Sequence, residues 1–211
     1  MKRCILVCVS LFFCFSLCAQ RKGFNTLTPP EKRWVLFHPL IASRCYAMAQ
    51  LAQAITDSLV VAGKLDTAKT GSNQDAFRHS CWMGLLVQKI PAKKAKHLGE
   101  VHEAGNYWTF KHRKTEGNLL PDSMASVMDL ANNLTGIATG LKFKKEHPGK
   151  LQVNLLVTNI LTDVENGKCL QLKKDIHGNF TDCSGSVLTN SLWKEKWNIP
   201  KCLEPSRKTK T

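Results

Sequence analysis

The chain has 211 residues, of which 43% are apolar, and its 30 Lys and Arg against 16 Asp and Glu give a net charge of +14. This length is short for two full domains, so one hydrophobic core is expected. The positive charge favours anionic partners such as nucleic acid, phospholipid headgroups or cell-wall polymers. The charge does not select one of these partners, and the sequence leaves the oligomeric state open.

Residues 1–19 have the pattern of a secretory signal peptide, because Lys2 and Arg3 precede an apolar run that ends just before Ala19. Cleavage there predicts export to the periplasm or beyond, and leaves 28 basic against 16 acidic residues. No later segment is long and apolar enough for a transmembrane helix, so none is expected in the mature chain. We predict an N-terminal extension with a short helix over residues 20–37, a helical domain over 38–190 and a tail over 191–211.

Hydrophobic periodicity predicts a mainly α protein, a single bundle of about five to six helices with a short extended or hairpin segment near the C-terminus. Thr28 and Glu31 have the spacing of a capping box at the start of the first helix. The predicted helices cover residues 29–37, 40–62, 73–88, 92–104, 123–143 and 151–166. Residues 169–180 alternate around Gly178, which predicts a small hairpin.

The helix predicted over residues 123–143 begins after Asp122, a favourable capping residue. Its apolar spacing predicts a core stripe of Val127, Leu130, Leu134, Ile137 and Leu141. Two adjacent asparagines, Asn132 and Asn133, lie on the adjoining face. Because asparagine is a poor helix former, we expect both side chains to make specific hydrogen bonds.

Five cysteines remain after the predicted cleavage, and the C-terminal three are the candidates for a disulfide in an oxidising compartment. Cys169 with Cys183 is the pair most worth testing, with Cys202 as the competing partner. Cys45 and Cys81 lie in apolar helical patterns and are expected to be small core residues.

The stretch from Asn73 to Trp82 places polar residues where a helix is expected to bury apolar ones. At a period of 3.6 residues, Asp75, His79 and Trp82 share one face. Buried ionisable groups must be paired or bound, so this helix either closes a polar network or lines a site. Capping and the helix dipole are the simpler explanation for Asn73 and Asp75.

Three successive predicted helices carry such polar residues, and helical bundles build their sites from inward-facing His and carboxylate side chains on neighbouring helices. The candidate catalytic residues are His79, His102, Asp129 and Arg78. The candidate metal ligands are His79, His102, Glu103 and Asp129. Supporting positions are Asn73, Asp75, Trp82, Asn132 and Asn133.

These residues are compatible with three arrangements. Imidazoles with carboxylates match a divalent metal site, zinc or manganese, whose open position activates a water molecule. Without metal, a histidine oriented by an acid would be a general base, and Arg78 would stabilise an oxyanion. A structural network is the third arrangement, in which Asp75 pairs with Arg78 and the asparagines bridge helices.

Residues 105–121 are predicted to form a long loop that mixes aromatic residues, among them Trp108, with basic residues, among them Lys111. Such a mixture suits a nucleic-acid strand or a membrane interface. Two functions therefore compete. One is an exported hydrolase of an anionic phosphodiester or ester; the other is a non-catalytic binding or structural module whose basic aromatic loop contacts lipid, nucleic acid or cell-wall polymer.

The order Asn73-x-Asp75-Ala76-Phe77-Arg78-His79-x-x-Trp82, then His102-Glu103, then Met128-Asp129-Leu130-x-Asn132-Asn133-x-x-Gly136, resembles an uncharacterised family of bacterial helical domains. The resemblance extends over residues 40–189. It implies a mostly helical fold in secreted or surface-associated proteins, and it supplies no activity. The signature positions that it implies are Asp75, Arg78, His79, His102, Glu103, Asp129, Asn132 and Asn133.

Overall fold

The computed structural model describes residues 23–113, 120–149, 151–189 and 195–207. The described chain is mainly helical with a two-stranded antiparallel sheet near the C-terminus, which confirms the predicted fold class. Its helices are α1 (Pro29–Phe37), α2 (Pro39–Val61), α3 (Asn73–Leu86), α4 (Ala92–Lys111), α5 (Ser123–Glu146) and α6 (Val153–Glu165). The strands are β1 (Leu170–Leu172) and β2 (Leu203–Pro205).

The predicted signal peptide at residues 1–19 lies outside the described residues. Within the described ranges, no helix combines the length and the apolar character that a membrane span requires.

The predicted capping box starts α1. The backbone N–H and the hydroxyl of Thr28 both donate to Glu31 Oε2, at 2.8 and 2.7 Å. α1 ends before His38, and α2 begins at Pro39, a residue that lacks an N–H and is therefore favoured at the first helical position. The α1 cap also fixes the Glu31 side chain, which reaches the candidate site described below.

α3 is the central helix, and twelve of its fourteen residues are buried. The other two, Arg78 and Trp82, are one turn apart and share a face. α5 packs closely against α3 because small residues meet at the contact. A Cβ added at Gly136 would overlap the Ser80 carbonyl, and one at Gly140 would lie 2.7 Å from the carbonyl oxygen of Gly84. This close approach brings the polar side chains of the two helices together.

The predicted core stripe of α5 is wrong at three of its five positions. Val127, Leu134 and Leu141 are between 44% and 50% exposed. The buried face instead contains small and polar residues, which suit the close contact with α3. Its members are Ala125, Ser126, Met128, Asp129, Asn132, Asn133, Gly136, Ile137, Gly140 and Phe143.

The predicted end of α4 at Ala104 is also wrong, because the helix continues through Gly105 to Lys111. Gly105 is inside the helix, where an added Cβ would overlap the Thr28 side chain. The glycine therefore permits a close approach between α4 and the start of α1. Part of the predicted loop over residues 105–121 is helical, and residues 114–119 lie outside the described chain.

The predicted turn around Gly178 is present, closed by an isolated antiparallel bridge between residues 174 and 180 and by backbone hydrogen bonds on either side of it. The strand β1 that precedes the turn pairs with β2. The disulfide joins Cys183 to Cys202, so the favoured pair of Cys169 with Cys183 is wrong and the competing partner Cys202 is the one bonded. Cys169 is a buried thiol, 3.3 Å from the hydroxyl of Ser80 on α3. Cys45 and Cys81 are buried as predicted.

Candidate functional site

His79 lies in a cluster of charged side chains from α3 and α5. Its Nε2 atom is 3.7 Å from Asp75 Oδ1 and 3.5 Å from Asp129 Oδ2. A guanidinium nitrogen of Arg78 approaches the same Nε2 atom to 3.3 Å. His79 and both aspartates are buried, whereas Arg78 is partly exposed. Helical spacing aligns the α3 members, and the close α3–α5 contact adds Asp129.

The imidazole of His79 is neutral. Burial, reinforced by the charge of Arg78, lowers the pKa of His79 to about 3, although the negative charge of Asp75 opposes this shift. Its Nδ1 atom lies 3.3 Å from Asn133 Oδ1, a hydrogen-bond acceptor, so the ring proton is assigned to Nδ1. Nε2, the atom nearest the two carboxylates, therefore carries the lone pair.

Asp75 is an ionised carboxylate with a partner on each oxygen. Oδ1 accepts a hydrogen bond from Arg78 Nη2 at 2.5 Å, and Oδ2 accepts one from the Gly71 N–H at 2.8 Å. Burial alone would raise the pKa of Asp75, but the charge of Arg78 and the hydrogen bonds from Gly71 and Arg78 outweigh burial and lower it. Gly71 has φ +68° and would clash with Leu172 if it had a side chain, so glycine is required there.

His102 and Glu31 form a second polar pair beside this cluster. His102 Nδ1 donates to Glu31 Oε1 at 2.8 Å, and the His102 ring centroid is 5.9 Å from that of His79. Burial would lower the pKa of His102, but the hydrogen bond to Glu31 and the charges of Glu103 and Glu31 outweigh burial and raise it. Burial would likewise raise the pKa of Glu31, yet the hydrogen bond and charge of His102 lower it.

A cleft of about 450 Å³ lies among α1, α2, α3 and α4, within the size range of small-molecule sites. Arg78, His79, His102 and Glu31 all line the cleft. Because each of these side chains is near the next, they form one continuous polar wall. Trp82 extends this wall, with its ring centroid 5.5 Å from that of His102. The remaining lining is mainly apolar and comes from α1, α2, α4 and the residues just before α1.

Three residues could hold a metal ion among those that the structure describes: Asp75, His79 and Asp129, whose ligand atoms all lie within 4.8 Å of one another. Ligands bound tetrahedrally at about 2.1 Å are about 3.4 Å apart, close to the observed separations around His79. A neutral imidazole with two carboxylates suits zinc or manganese. The guanidinium of Arg78 now lies between Asp75 and His79, so a metal would have to displace it.

The other candidate residues from the sequence lie outside this three-residue metal group. Glu103 is buried and accepts a hydrogen bond from Asn106 at 2.9 Å, and burial raises its pKa. Neither Glu103 nor His102 belongs to the three-residue metal group. Asn132 accepts from the Leu170 N–H and donates to the Leu170 carbonyl, so it attaches β1 to α5.

Asn73 bonds the backbone of Arg207 near the C-terminus, and its own N–H donates to Asp66. Its main contact is therefore structural. Asn133 is the asparagine that reaches the candidate site, through His79. Both adjacent asparagines of α5 make the specific hydrogen bonds that the sequence predicts.

Glu31 is a member of the site that was not expected from the sequence. The capping box explains this residue fully, and its partner His102 is 71 positions away in the chain. The apolar lining from α1 and α2 was also missed, because apolar helical spacing predicts a core and does not distinguish it from the wall of a cleft.

The described part of the basic aromatic segment, residues 105–113, does not line the cleft. Trp108 stacks on His112, and Tyr107 and Phe110 pack on Trp197 from the C-terminal segment. This aromatic group, at the C-terminal end of α4, is therefore partly engaged in packing within the chain.

Comparison with known families matches residues 32–168 to one family model, described as "Domain of unknown function (DUF6973)". No curated protein and no solved structure matches the chain significantly.

Proposed function

This chain belongs to the DUF6973 family, whose description names no activity, and we propose that it is an exported hydrolase of an anionic ester or phosphodiester. The observation that carries the proposal is the His102–Glu31 pair next to Arg78 on the wall of a cleft. A histidine oriented by an acid and a guanidinium beside it are the groups that hydrolysis needs. The predicted signal peptide and the disulfide between Cys183 and Cys202 support export.

His102 is the general base in this mechanism. Glu31 holds its Nδ1–H, so Nε2 accepts a proton from water while the water oxygen attacks the carbonyl carbon or phosphorus. The same proton then passes to the leaving oxygen as its bond breaks. The products are an acid and an alcohol, and no further reactant is consumed. Glu31 and Glu103 raise the pKa of His102, so His102 is a stronger proton acceptor than His79, whose pKa is about 3.

Arg78 stabilises the negative charge that develops in the transition state. It lies on the cleft wall, and Asp75 fixes one of its nitrogens. A charged donor that is already in position contributes to catalysis because little reorganisation is needed during reaction. Asp75 and neutral His79 hold the guanidinium beside the cleft in this account.

A divalent metal at Asp75, His79 and Asp129 is the second candidate for the electrophile. The spacing of these three donor atoms favours it, and Arg78 would then turn towards the cleft. The chemistry that such an ion supplies is activation of water and stabilisation of an oxyanion. Elemental analysis of purified protein separates the two electrophiles: stoichiometric zinc or manganese in the wild type that is lost in Asp129→Asn would identify the metal.

The hydrolase proposal is tested with nitrophenyl esters and phosphodiesters, offered in anionic and neutral forms to purified full-chain protein. We expect turnover that prefers the anionic form and a loss of about 10²-fold or more in Arg78→Lys, which retains the charge but not the planar fork. Lys96→Arg on the exposed part of α4 is the matched control and should keep wild-type rates. Absence of turnover across the panel, with salt-sensitive binding of lipid, nucleic acid or wall polymer, would support the non-catalytic module instead.

A further inference from the structure

The cleft has one polar wall and an otherwise mainly apolar lining. Beyond its polar wall, the lining is dominated by apolar and aromatic side chains, most of which come from three helices. Representative members are Trp34 and Val35 of α1, Tyr46 and Ala49 of α2, and Leu98 of α4. When an apolar ligand enters a concave surface of this size, apolar area is removed from water, which favours binding. A small inorganic anion would leave most of this lining uncovered.

We propose that the ligand of the cleft is a single-chain anionic amphiphile, with its head on Arg78 and His102 and its hydrocarbon chain against the apolar lining. This inference rests on the proposed function and specifies its substrate as an ester or phosphodiester that carries an alkyl or acyl chain. The head contacts come from the cationic guanidinium of Arg78 and from the imidazole of His102, which Glu31 orients. Charged donors of this type bind carboxylate and phosphate groups.

Two buried donors support an oxygen-bearing ligand. The indole N–H groups of Trp34 and Trp82 have no hydrogen-bond acceptor in the part of the chain that the structure describes. Both tryptophans line the cleft. A buried N–H without an acceptor is unfavourable, and the ester or head-group oxygens of an amphiphile would provide acceptors. A pure hydrocarbon would not satisfy these groups.

The test uses alkylphosphonates of about four to ten carbons, whose carbon–phosphorus bond is not hydrolysed, and measures their binding by titration calorimetry. Each added methylene should tighten Kd about fourfold until the cleft is filled. Alkanols of the same length should bind more weakly, because they lack the anionic head. Arg78→Lys should weaken phosphonate binding about tenfold and leave alkanol binding unchanged.

Ala49→Trp, which fills the cleft from α2, should weaken the binding of both ligand series. Ala47→Trp is the matched control, since Ala47 is exposed on the same helix and does not line the cleft. A Kd that does not depend on chain length would overturn the inference, and so would unchanged binding to a folded Ala49→Trp variant. The chain-length series in the wild type decides the question even if that variant does not fold.

The source of the chain is distinguished by adding phosphatidylglycerol vesicles in a separate titration. Competition between vesicles and a bound alkylphosphonate indicates that the cleft takes the chain from a membrane lipid, whereas phosphonate binding without competition indicates a free amphiphile. Phosphonate binding without any ester turnover would retain the inference and reject the hydrolase. Turnover of short esters with no dependence on chain length would retain the hydrolase and reject the amphiphile as its substrate.

Discussion

Replacing Glu31 with Gln should destabilise the protein in a pH-dependent way. The substitution keeps the size of the side chain but removes the charge that faces His102 at 2.8 Å. Both side chains are less than a third exposed, at 28% for His102 and 15% for Glu31, so solvent screens the pair only partly. A hydrogen bond between charged groups contributes about 1.5–3 kcal/mol, which is the expected loss in the free energy of unfolding.

The pH window follows from the two pKa shifts. The raised pKa of His102 means that its stabilisation is complete below the ordinary value of 6.5 and is lost as pH rises through the folded-state pKa. The lowered pKa of Glu31 means that its stabilisation is complete above the ordinary value of 4.5 and is lost as pH falls through the folded-state pKa. The stabilisation from His102 and that from Glu31 are therefore both complete between pH 4.5 and pH 6.5.

Urea unfolding at about pH 5.5 and about pH 9 measures the effect. The difference between wild type and Glu31→Gln should be largest at the lower pH and smaller at the higher one. Thr28→Val is the control, because it removes the hydroxyl bond to Glu31 but leaves the His102 contact intact. Its destabilisation should be similar at both pH values. A Glu31→Gln effect that is equal at both, or larger at about pH 9, would refute the proposed ion pair.

Gly136→Ala should lower stability by about 1–3 kcal/mol despite the better helix propensity of alanine, because its Cβ would overlap the backbone of α3; thermal unfolding measures this. Asn132→Leu should cost about 1–3 kcal/mol and speed hydrogen exchange at the Leu170 amide, whose acceptor it removes. Cys202→Ser should cost about 3 kcal/mol, and reductant should lower the wild-type midpoint to that of the variant. If a metal binds, zinc or manganese should raise the wild-type midpoint but not that of Asp129→Asn; equal shifts in both would exclude a site at this residue.

Local signals predicted most of the helices. The Thr28–Glu31 capping box and Asp122, which accepts from the N–H groups of residues 124 and 125, begin α1 and α5 as expected. Such signals act over one helical turn and therefore do not depend on the tertiary fold. The prediction that Gly105 ends α4 is wrong because the local sequence does not distinguish two roles of glycine. One is to end a helix, and the other is to permit a close contact inside it.

The core of α5 was misassigned for a physical reason. Periodicity assigns the apolar stripe to the core, but the contact with α3 requires small residues and buries the polar face beside them. The same polar face supplies Asp129 and Asn133 to the candidate site. Polar residues in the helix interior were therefore a better guide to the buried face of α5 than the apolar residues were.

The site was predictable where its members share a helix. Asp75, Arg78 and His79 follow from helical spacing, and the arrival of Asp129 and His102 near them was expected from the bundle. The contact between His102 and Glu31 was not expected, because it depends on how α1 packs against α4. The choice between a guanidinium and a metal beside His79 likewise depends on distances that no sequence pattern specifies.

The most direct test of the proposed hydrolase is the ratio of kcat/KM between wild type and His102→Gln on an anionic ester or phosphodiester. His97→Gln is the matched control, because His97 is an exposed residue on the same helix and does not line the cleft. The account predicts a loss of about 10²- to 10⁴-fold for His102→Gln, with the fold retained, and no loss for His97→Gln. Equal activity in wild type and a folded His102→Gln protein would contradict the assignment of His102 as the general base.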